Sequence, residues 1–173
     1  MLVGIAASGV LCALLGLALR RRLGPMGAAT TALLVWSVVV IGIVTLIPAN
    51  GVPGFVTYEG RLDTCSFEVG GPAPDGFWIF SGGQRLLNTV IFVPSGALLV
   101  LTASRSRAAW VTVPLGLALL AAYSAGIELT QLALARLDRA CDVTDVVDNV
   151  GGAVIGAGIG LVLAVLLRPW SRR

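Results

Sequence analysis

Between Glu128 and Asn149 the chain crowds Glu128, Gln131, Arg136, Asp138, Arg139, Asp142, Asp145, Asp148 and Asn149 into 22 positions, with five of its nine acidic residues. Taken as a helix entered near Asp138, the residues Asp142, Asp145, Asn149 and Gly152 fall at i, i+3, i+7 and i+10, which is one face. Arg139 joins that face if the preceding turn is helical, whereas Asp148 lies about 60° round from Asp145, toward the flank. Glu128 and Gln131 form a second pair three apart, and Arg85 and Asn88 a third. Three kinds of chemistry fit such a set. Arg85 and Arg139 can fork onto phosphate or carboxylate oxygens of a headgroup, with Asn88, Gln131 and Asn149 as further hydrogen-bonding ligands. Alternatively, Glu128, partly desolvated, has the setting of a catalytic acid or base, with Asp142 and Asp145 holding a divalent cation such as Mg²⁺ or Ca²⁺ and sharing the catalytic role. The third is structural: the charges pair with one another and hold helices together.

The elements that must position these groups are membrane spans. The chain has 173 residues, is 57% hydrophobic and only 12% charged, and several of its apolar runs approach the roughly 20 residues that cross a bilayer. Five spans are expected: Leu2 to Leu19, Ala28 to Ile47, Leu86 to Ala103, Ala108 to Leu134 and Val146 to Leu167. Residues 1–48 make an amino-terminal two-helix region, 49–84 an extracytoplasmic loop, and 85–173 a core of three spans. The fold class is therefore an all-α polytopic bundle. Gly24-Pro25 makes the first turn, and Pro94 removes one backbone hydrogen bond and kinks its helix unless neighbours compensate. Phe77, Trp78 and Phe80 in the loop suit a membrane interface.

All twelve basic residues are arginine, and there is no histidine. Eight of them (Arg20, Arg21, Arg22, Arg105, Arg107, Arg168, Arg172 and Arg173) fall on one side of this arrangement. Positive-inside asymmetry puts that side in the cytoplasm, the amino terminus outside and the carboxyl terminus inside. Every acid then lies on or near the outer side. Ionisable groups so close to hydrocarbon mark a functional-site hypothesis.

The cysteines are Cys12, Cys65 and Cys141. Cys12 lies within the first apolar run as a packing residue. Cys65 and Cys141 fall in outer loops, where two thiols can pair as a disulfide or, less in keeping with their number, bind metal. Gly152, Gly156 and Gly160 stand at four-residue spacing and let another helix backbone approach closely, either within the chain or across a homodimer. The absence of a phosphate loop, of G-x-S-x-G and of histidine argues against the corresponding enzymes. Scattered, membrane-adjacent arginines argue against nucleic-acid binding.

Asn88-x-x-x-Phe92-x-Pro94-x-Gly96, followed by Glu128-x-x-Gln131 and Arg139-x-x-Asp142-x-x-Asp145-x-x-x-Asn149-x-x-Gly152, resembles the two motifs of the VanZ-like family. The likeness covers the last three spans; the first two spans and the long loop match only by hydropathy and position. Cys141 directly before Asp142, with a cysteine in the outer loop, resembles a subset of that family. The resemblance implies a multi-pass protein of the bacterial plasma membrane and cell envelope. It also implies an association with teicoplanin resistance and glycopeptide sensitivity, without a known reaction. The partners expected on these grounds are a membrane lipid and a lipid-linked or glycopeptide ligand at the outer face. The alternative is a membrane-embedded lipid- or glycan-modifying enzyme built on Glu128, Asp142 and Asp145.

Overall fold

A computed structural model describes residues 1–47, 65, 83–134 and 142–167. They form four helices, α1 (Leu2–Leu46), α2 (Gly83–Ala103), α3 (Ala109–Leu134) and α4 (Val143–Leu167), and no strand among the described residues. Each helix is long and apolar enough to cross a membrane. The expected loop, 49–84, lies outside the described residues apart from Cys65 and the first residues of α2.

Helix α1 breaks at Gly24, whose φ of 70° and ψ of 168° belong to a region open to glycine and strained for other residues. Pro25 follows it at a helix start, where its fixed φ is favourable and no N–H is missed. The two arms fold back on each other. Gly4 faces Ile43, Gly9 faces the Trp36 indole and Gly16 faces Ala32, while Trp36 Nε1 donates to the Ile5 carbonyl at 3.2 Å. Small residues on the first arm thus admit large ones from the second. The break leaves carbonyls at the end of the first arm unpaired, and Arg105, from the α2–α3 turn, donates to the Leu23 carbonyl at 3.0 Å.

Helices α2 and α4 form the most extensive contact in the structure. Arg85 meets Asp148 across an offset of 63 residues, and Thr89–Gly152, Val93–Gly156 and Ala97–Gly160 repeat that offset one turn at a time. A constant offset makes the two helices parallel. A Cβ on Gly152, Gly156 or Gly160 would run into the backbone carbonyl of Thr89, Val93 or Ala97, and one on Gly96 into that of Ala153. The glycine face that the sequence offers for close approach is taken up by α2. Without a hydrophobic driving force between helices in lipid, such packing supplies much of the association energy.

Antiparallel α3 packs on both, and the second arm of α1 lies against α2 and α3. The apolar centre is Ile41, Phe92, Leu120, Ile127 and Ala153. Hydroxyls mostly turn inward on their own helices, as Thr30 and Thr31 do to Gly27 and Ser37 to Leu34. Ser37 and buried Ser95 also share a 2.9 Å hydrogen bond between α1 and α2. Pro94 lies within α2 without ending it.

Two substitutions test the backbone contact. Gly156→Ala should destabilise the bundle by about 1–3 kcal/mol, the usual cost of overpacking a site that cannot relax. Gly158→Ala, whose added methyl meets nothing within 4 Å, should be neutral or stabilising by up to about 1 kcal/mol through helix propensity. Thermal unfolding in detergent separates the two.

Candidate functional site

The amino ends of α2 and α4, the carboxyl end of α3 and the upper end of α1 meet at one pole. Gln131 Nε2 donates to the Thr45 carbonyl at 3.0 Å, which ties α3 to α1 there. Every acid among the described residues, Glu128, Asp142, Asp145 and Asp148, lies at this pole. Arg20, Arg21, Arg22, Arg105 and Arg107 lie at the other, around the α1 break and the α2–α3 turn.

The strongest polar contact joins Arg85 to Asp148. Arg85 Nε and Nη2 donate to Oδ2 and Oδ1 at 2.8 and 2.9 Å, and the side chains are 11% and 0% exposed. Both carboxylate oxygens are used by the planar fork, the geometry that guanidinium provides and ammonium does not. The sequence placed Asp148 toward the flank and left Arg85 either to a headgroup or to pairing with the acidic residues; here Arg85 pairs with Asp148. A signal was present. Asp148 precedes Gly152, Gly156 and Gly160 at the same four-residue spacing, so it continues the stripe that packs on α2. A buried acid on that stripe needs a cation opposite it.

Asp142 stands immediately before α4 and caps it, with Oδ1 accepting the Thr144 N–H at 2.8 Å. Aspartate is favoured at this position because it satisfies a helix-end donor, and Asp145 in the first turn complements the helix dipole. The Asp142 N–H in turn donates to Glu128 Oε2 at 3.2 Å. Glu128, buried at 5% exposure, therefore joins the end of α3 to the start of α4. Among the described residues no group of three or more acidic or thiol side chains is placed to hold a metal ion. Asp142 Oδ1 serves the helix end.

A polar layer sits directly on the apolar core. Asn88 is one turn above Phe92 on α2, Asn149 one turn above Ala153 on α4, and Gln131 one turn beyond Ile127 on α3; those three apolar residues belong to the core. Asn149 Nδ2 donates to Ser124 Oγ at 2.9 Å. Asn149 Oδ1 and Asn88 Nδ2 are buried without a hydrogen-bond partner. Ser124, which sequence reasoning passed over, stands four residues before Glu128 and seven before Gln131, a spacing that puts it on their face of α3.

The structure thus brings together Arg85, Asn88, Glu128, Gln131, Asp142, Asp145 and Asn149 at one pole, and adds Asp148, Ser124 and Thr45. Arg139 and Cys141 lie outside the described residues. Cys65 is disulfide-bonded, and Cys12 is a free, buried thiol.

The model of the VanZ/LLP1 family matches residues 11–166. No curated protein and no solved structure matches the chain.

The buried ion pair has a defined energetic signature. Asp148→Asn or Arg85→Gln alone leaves one charge buried without its counterion, and should cost about 3–5 kcal/mol. The double variant Arg85→Met with Asp148→Leu should recover most of that loss. A double-mutant cycle on unfolding in detergent measures it.

Proposed function

Because the chain belongs to the VanZ/LLP1 family, we propose that it is a multi-pass protein of the bacterial plasma membrane whose outer pole binds the headgroup of an amphiphile. Through that binding it lowers sensitivity to teicoplanin and related glycopeptides. The bound molecule is an anionic or zwitterionic phospholipid, a lipid-linked wall precursor or the acylated glycopeptide itself. One observation carries this reading: Asn149 Oδ1 and Asn88 Nδ2, an acceptor and a donor, are buried without a protein partner one turn above the core. Buried polar atoms left without a partner cost roughly 1–3 kcal/mol each, and a headgroup with its own donors and acceptors would recover that cost.

The residues divide the work. Arg85 and Asp148 neutralise each other and fix α2 against α4, so they shape the site. Asn88 and Asn149 offer the free amide atoms, Ser124 orients Asn149, Gln131 ties α3 to α1 beside them, and Arg139 supplies the cation that meets a headgroup phosphate. Glu128 and Asp142 hold the rim of α3 to that of α4.

In the bilayer, each arm of α1 makes its own crossing. That gives five crossings, an outer amino terminus and an inner carboxyl terminus, with the arginine-rich pole in the cytoplasm as the positive-inside rule requires. Single cysteines introduced at Val3 and at Arg21, in a Cys12→Ser background, would be labelled by an impermeant maleimide in intact cells at the first position only. Labelling at both, or at Arg21 alone, would sink this topology.

Asn88→Ala and Asn149→Ala, expressed in a glycopeptide-sensitive bacterium, should keep near-wild-type abundance while losing the shift in teicoplanin susceptibility, with Asn149→Ala also losing about 1 kcal/mol of stability with its Ser124 hydrogen bond. Full protection by both variants at equal abundance would refute headgroup binding at this layer. A lipid or glycan product made by wild type and lost in Glu128→Gln would establish the enzymatic alternative instead.

A further inference from the structure

The break at Gly24 leaves a second feature at the opposite pole, independent of the outer layer. Between the two arms of α1 runs a groove of about 520 Å³. Gly9 and Trp36 close one end, Arg20 marks the other, and Ala13, Gly16 and Ala29 are among the small residues along it. Ala13 and Ala29 are exposed, so the groove opens sideways, toward the hydrocarbon that surrounds the bundle.

Its dimensions select an occupant. Gly9 to Arg20 is eleven residues, about 16 Å of helix, which is close to half of the roughly 30 Å hydrocarbon core. The groove therefore spans one leaflet, on the side that Arg20 faces. Spread over about 16 Å, 520 Å³ gives a cross-section of about 32 Å², against roughly 80 Å² or more for a helix 10–12 Å across. It is wide enough to take in a hydrocarbon chain, whereas a whole protein helix does not fit inside it. The deep end presents no free donor, because the Trp36 indole N–H is committed to the Ile5 carbonyl. The shallow end is cationic. Arg20 is exposed and has no acidic partner among the described residues, and Arg21 and Arg22 follow it.

We propose that this groove binds one acyl chain of an anionic phospholipid, with the lipid phosphate on Arg20. The guanidinium fork suits phosphate oxygens, and basic sites between membrane helices hold anionic headgroups in this way. The lipid completes the packing of the first arm, which otherwise touches the rest of the protein chiefly through the second arm.

The test is native mass spectrometry of the full chain, released from detergent after equilibration with equal amounts of phosphatidylglycerol and phosphatidylcholine. Wild type should retain one phosphatidylglycerol per chain, about tenfold over phosphatidylcholine. Arg20→Gln, an exposed change that leaves the helices intact, should bring the two lipids to near-equal retention. Ala13→Leu with Ala29→Leu, which fills the groove, should lose the one lipid whose retention depends on Arg20. No retained lipid in wild type, or an unchanged preference in Arg20→Gln, would overturn the proposal. So would a wild-type dimer by light scattering that the filled variant converts to monomer, since the groove would then be a protein contact.

Discussion

The structure depends on the close parallel contact of α2 and α4. Glycines at three successive turns of α4 bring its backbone against the carbonyls of Thr89, Val93 and Ala97, and the Arg85–Asp148 fork closes the same seam at its upper end. The two parts need each other. A buried ion pair in a low-dielectric setting is worth having only with good geometry, and the glycine stripe sets the interhelix distance that lets a guanidinium reach both oxygens. Replacing any glycine of the stripe pushes the pair apart as well as the helices.

From that seam the rest of the pole follows. With α2 and α4 held in register, Asn88 and Asn149 lie at the level immediately above Phe92 and Ala153, and α3 brings Ser124, Glu128 and Gln131 to the third side. The polar layer rests on an apolar floor and is bounded by the start of α4, where Asp142 accepts the Thr144 N–H and Glu128 accepts the Asp142 N–H. Such a layer is well suited to recognition, because its groups are held in position before a ligand arrives. Its acids are largely committed, Asp148 to Arg85, Asp142 to the start of α4, and Glu128 to the Asp142 N–H.

The first arm of α1 obeys a different logic. It packs on the second arm through glycine and alanine, and Leu2, Val3, Val10, Leu11 and Leu17 remain more than half exposed on it. A lipid-facing surface accounts for those residues, as apolar side chains cost nothing in hydrocarbon. Charge segregation accounts for the arginines at its turn. The two poles therefore differ in kind: one is a polar layer built inward, the other a cationic collar built outward.

Hydropathy and charge in the sequence alone established the all-helical membrane character, the helix limits to within a few residues, and the segregation of acids from arginines. Length and composition determine these through the bilayer itself, which demands long apolar helices and penalises charge wherever it sits. The motif residues were legible too, since i, i+3 and i+4 spacing puts them on shared faces. Their partners were not. Asp148 belonged to Arg85 because of a register between two helices 63 residues apart in sequence, Asp142 became a helix cap because α4 begins at Val143, and Ser124 acquired a role because Asn149 faces it. Spacing along one helix fixes direction only within that helix. Which side chains meet is decided by how helices are offset and rotated against each other, and only the tertiary structure sets those quantities.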